Sequence, residues 1–168
     1  MTERTDDLRN RWLSADLAAC GTLASRLSGS ELARFAGDGL ASCCNALPSV
    51  PSEILGVVKI GRGDWSRGHA AFDAVRHLTL DAEARRAPKT PAYLLLFVAE
   101  NAARVIYNAT TPGDPFDDDS GAWLVLTMAQ FTRSLPESQS HELSSLLWSM
   151  ISGPTQKGDY ARIDSRSP

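Results

Sequence analysis

Three consecutive carboxylates, Asp117, Asp118 and Asp119, stand between a proline-bearing turn and an apolar run in PGDPFDDDSGAW, residues 112–123. Such a cluster can hold a hard cation, move a proton, or start a helix. A calcium loop of the EF-hand kind needs oxygen donors at its first, third and fifth positions, glycine at the sixth and a carboxylate at the twelfth. Counted from Asp117, the fifth position is Gly121 and the twelfth is Met128; counted from Asp114, the third is Phe116. Neither register works. A magnesium site would need further donors supplied by the fold, and Glu100 and Asn101 are the candidates. Carboxylates ahead of a helix satisfy its open amides and lie against the positive end of its dipole, worth about 0.5–2 kcal/mol. The aspartates are therefore read mainly as a helix start, with Asp117 and Asp118 on a loop that a partner can reach.

His69, Asp73, His77 and Asp81 fall on one helical stripe. Two imidazoles four residues apart on a helix can share a zinc ion. These are eight apart, about 12 Å along the axis, so one straight helix cannot bring both to one metal. The stripe lies opposite Ala71, Phe72, Val75, Leu78 and Ala82 and is expected to face solvent or a partner. The glycine-rich GRGDWSRG at 61–68 matches neither phosphate-binding pattern: Ser66 stands where a third glycine is required, and no lysine follows Gly68. It is read as a flexible loop anchored by Trp65. No Ser-His-Asp or Cys-His spacing is present to make a nucleophile, and no metal or cofactor site is expected.

The remaining candidate is a helix face. At 100° per residue, Tyr93, Phe97, Glu100, Asn101, Arg104, Tyr107 and Asn108 share one side of a helix over 91–109. Leu94, Leu95, Val98, Ala102, Val105, Ile106 and Ala109 take the other. The second set is a complete core stripe. The first is not a Lys/Glu solvated face. It carries aromatics, an arginine and amides, the residue types enriched in interfaces. Read plainly, it is a central helix packed on both sides. Read functionally, it is a partner surface, and a homodimer pairing this face would give the same pattern.

The elements that hold these residues read as helices throughout. Thr90 and Pro91 make a clean start for the 91–109 helix. Ser28 and Glu31 form a capping box ahead of a helix to Leu47. Further helices are expected over 6–27, 65–87, 120–135 and 137–152, with a short one capped by Ser52 over 54–60, where β-branched residues make a strand the alternative. The expectation is an all-α, single-domain bundle of six or seven helices over 1–152, followed by a polar tail without fixed structure at 153–168.

With 168 residues, 43% hydrophobic and 22% charged, the chain can bury a core without metal or disulfides. A net charge of −3 with scattered basic residues argues against nucleic acid or an anionic membrane as partner. The polar N-terminus has no signal-like apolar segment, and Cys20, Cys43 and Cys44 form no disulfide pattern, so a cytoplasmic location is expected. The functional expectation is a non-enzymatic protein-binding module, of the type of a toxin-neutralising immunity protein or small adaptor. Its contacts would come from the 93–108 face and the acidic loop. The alternatives are a metal-dependent hydrolase using 117–119, and a helical small-molecule sensor with a pocket lined by Tyr93, Phe97 and Tyr107.

Overall fold

A computed structural model describes residues 4–111 and 119–164, with side chains through Gly153. All regular structure among the described residues is helical. The helices are α1 (Thr5–Leu13), α2 (Leu17–Ser25), α3 (Gly29–Asn45), α4 (Ser52–Gly61), α5 (Gly68–Ala84), α6 (Pro91–Thr110), α7 (Ser120–Ser134) and α8 (Glu137–Asp164), with a 3-10 turn at Trp65–Arg67. No helix among these residues is long and apolar enough to cross a membrane.

Three helix starts, those of α2, α3 and α6, are set by side-chain caps. The Ser28–Glu31 capping box of α3 forms in both directions, and the Thr90 hydroxyl accepts from the Tyr93 amide at the head of α6. The segment 54–60 is helical, but Ser52 is its first residue and not its cap, since Pro51 holds that place. The expected 6–27 helix is two helices. The chain turns at Ala15, whose φ of 57° is left-handed. Asp16 then caps α2, accepting from the Ala18 and Ala19 amides and from Arg11 Nε at 2.8 Å. The arginine and the amides hold that carboxyl below its ordinary pKa. The 61–68 segment is a pinned turn: Trp65 Nε1 donates to the Gly61 carbonyl and Asp64 accepts from Ser66. At the other end, α8 continues to Asp164 and does not stop near 152.

The core gathers around α6, which packs against α3, α4, α5, α7 and the 3-10 turn. Trp12 of α1 is fully buried, donates its indole N–H to the Val125 carbonyl of α7 at 3.1 Å and stacks on Trp148 of α8 at 5.8 Å. One side chain thus ties three helices together.

The tightest joint is between α3 and α4, where Gly37 and Gly61 face each other backbone to backbone. A β-carbon on Gly61 would lie 2.7 Å from Gly37 Cα and 3.1 Å from Ile106 Cδ1. Gly56, on the same helix, faces open space. Gly61→Ala is expected to destabilise the fold by about 1–3 kcal/mol through overpacking. Gly56→Ala should stabilise it by about 0.5–1 kcal/mol through helix propensity. Urea titrations of the two variants measure both signs.

Candidate functional site

The polar-aromatic side of α6 does not stay together. Its neighbours divide it three ways. Tyr93, Phe97, Asn101 and Arg104 line an open groove of about 720 Å³ between α6 and α7. Glu100 turns to α5. Tyr107 packs its ring edge-on to His69, centroids 5.4 Å apart, and Asn108 Nδ2 donates to Ser120 Oγ at 2.9 Å. Glu100, Tyr107 and Asn108 are thus turned to α5, His69 and Ser120, and they do not line the groove. The face covers about a third of the helix circumference, and flanking helices claim both of its edges.

Glu100 is the buried centre of a triad with two partly exposed arginines. Glu100 is 4% exposed and receives Arg76 Nη1 of α5 at 2.9 Å, with Arg104 Nη2 at 4.0 Å. The Arg104 guanidinium lies over the Phe72 ring, 5.1 Å from its centre. Arg104 also lines the α6–α7 groove.

Inside the groove the Tyr93 and Phe97 rings meet edge to face at 5.1 Å. Asn101 spends its amide N–H on the Phe97 carbonyl. The opposite wall was not foreseen. Trp123, Leu126, Thr127 and Gln130 of α7 supply it, with Arg133 and Ser134 at one end beside Lys89. Trp123 is 41% exposed. A sequence signal for this wall existed: Trp123, Thr127 and Gln130 recur at helical spacing opposite Leu124, Met128 and Phe131. An exposed tryptophan on the polar side of a helix is unusual enough to mark it.

The chemistry of the lining is plain. Among the described residues it contains three cations, Lys89, Arg104 and Arg133, and no Asp, Glu, His or Cys. Among the described residues no three His, Cys, Asp or Glu come together to hold a metal ion. Glu100 and Asn101, the donors expected to complete an acidic magnesium site, are directed to Arg76 and to the Phe97 carbonyl. Asp117 and Asp118 lie outside the described residues. Asp119 takes the N-cap position of α7, so the helix starts directly after the aspartates as expected, without a side-chain hydrogen bond from Asp119 to its amides. The His69–Asp81 stripe is exposed, as expected, and His69 Nδ1 meets Asp73 at 3.1 Å.

The three cysteines are buried free thiols. Desolvation pushes Cys20 up to about 12 and Cys44 up to about 11, and Cys43 higher still. No family model, curated protein or solved structure matches this chain.

Two outcomes follow from this geometry. Glu100→Gln should cost about 2 kcal/mol, less than a fully buried pair because Arg76 is partly solvated. The double variant with Arg76→Gln should recover part of that loss in a denaturant double-mutant cycle. The thiols should resist a disulfide reagent in the native state at about pH 8 and react once unfolded. Their ionisation also sets a direction with pH. The unfolded thiols ionise near 9.0 and the folded ones well above it, so stability is full below about pH 9 and falls as pH rises through the folded values.

Proposed function

We propose that the chain is a non-enzymatic binding module that receives a segment of a partner protein in the α6–α7 groove. The observation that carries this reading is the juxtaposition of Trp123, 41% exposed, with Tyr93, Phe97, Arg104 and Arg133 across one concave strip. Tryptophan, tyrosine and arginine are the residues that concentrate binding energy at protein interfaces. Among the described residues, the same strip offers no base or thiol for a catalytic reading. Toxin-neutralising immunity proteins and small adaptors are the class of module this fits. Three buried thiols without a disulfide suit the reducing cytoplasm.

The groove volume of about 720 Å³ also falls in the range of small-molecule pockets, roughly 300–1,000 Å³, which favours a ligand sensor as the second reading. Its expected third wall, Tyr107, stacks on His69 instead.

The test is affinity capture from the native host with the wild-type chain, Trp123→Ala, Arg133→Glu and, as a remote control, Leu146→Ala on α8. One stoichiometric partner is expected with the wild type and the control and lost with both groove variants, while circular dichroism stays unchanged. A partner retained by both groove variants would refute the assignment of the groove.

A further inference from the structure

We infer that the occupant of the groove is an acidic, amphipathic α-helical segment of the partner protein, an inference that rests on the groove being the docking surface. Length and charge carry it.

The groove follows the seam between two helices. Its lining runs from Tyr93 to Arg104 on α6 and from Trp123 to Ser134 on α7. Each stretch is eleven residue steps, about 16 Å at the rise of an α-helix, or three helical turns. An open channel of that length presents contacts along a line. A compact ligand would engage only part of it. A docked helix reads such a seam with apolar anchors at i, i+3 or i+4, i+7 and i+11. The apolar surface to receive them is in place: Leu126 is 8% exposed and Trp123 is 41% exposed, a graded wall from buried to open.

Charge selects the sign of the segment. The chain as a whole is acidic, with 20 Asp and Glu against 17 Lys and Arg. The groove reverses this balance, because its lining among the described residues includes Lys89, Arg104 and Arg133 and no carboxylate. Lys89 and Arg133 are exposed and make no ion pair among the described residues. Arg104 is held beside Glu100 together with Arg76, so the exposed Lys89 and Arg133 are the cations the groove offers. Carboxylates flanking the apolar stripe of a docked helix would meet these cations. A basic segment would be repelled by them, which is how charge complementarity sets specificity.

A display library of randomised, helix-forming peptides about 16 residues long, panned on the intact chain and counter-panned on Trp123→Ala, tests this directly. Enriched sequences should be net negative, with apolar residues at the helical spacing above. Their affinity should fall by about tenfold or more in Lys89→Glu/Arg133→Glu, and it should fall as salt is raised. Enrichment of neutral, basic or extended sequences would overturn the acidic helix while leaving the groove as the docking surface. No enrichment over Trp123→Ala would overturn both.

Discussion

A carboxylate sits in the middle of the central helix α6, and much else follows from how it is satisfied. Glu100 is almost entirely removed from water. A charge so placed is tolerated only when cations and hydrogen bonds replace its hydration. Arg76 supplies the short contact from α5, and the geometry of that contact sets the register of α5 against α6. Arg104 lies one turn further along the same helix and is drawn to the same carboxylate and to the face of Phe72. Its guanidinium is thereby held in place at the edge of the α6–α7 groove. A long, flexible cation becomes a positioned one, so less conformational entropy remains to be lost when it engages a ligand.

The groove's other wall is secured from behind. Helix α7 carries Trp123 outward and Leu124, Met128 and Phe131 inward. Its backbone accepts the buried indole N–H of Trp12, whose ring stacks on Trp148 of α8. Asn108 closes one end of the α6–α7 pair onto Ser120. The two walls are thus anchored through contacts that do not line the groove, and the lining side chains are left to make contacts of their own. Rigid elements presenting aromatic and cationic groups are what recognition needs, since preorganisation lowers the cost of binding.

The molecule's reactive groups are kept away from this strip. The thiols are buried and held protonated by desolvation, His69 is engaged with Asp73 and Tyr107, and the central carboxylate is committed to arginines. What the described residues present at the groove can attract, stack and donate hydrogen bonds.

The sequence by itself determined the helical class and most helix starts, because these depend on neighbours in the chain. The Ser28–Glu31 box, the Thr90–Pro91 start and the apolar stripe of α6 are all visible within a few residues. The break at Ala15–Asp16 was equally local, but a continuous stripe through Leu8, Trp12, Ala19 and Leu23 masked it; two helices can carry one stripe when both pack on the same core. The candidate site was half legible. Periodicity separated the apolar side of α6 from the rest, and it picked out Tyr93, Phe97, Asn101 and Arg104. It could not say which neighbour would lie against each edge of that side. Tertiary structure decided that α5 would take Glu100 and Tyr107, and that α7 would take Asn108 and supply Trp123, Gln130 and Arg133. The physical reason is that a helix's face is defined by its own geometry, whereas a groove is defined by two helices at once, and the contacts that set their separation join residues far apart in the chain.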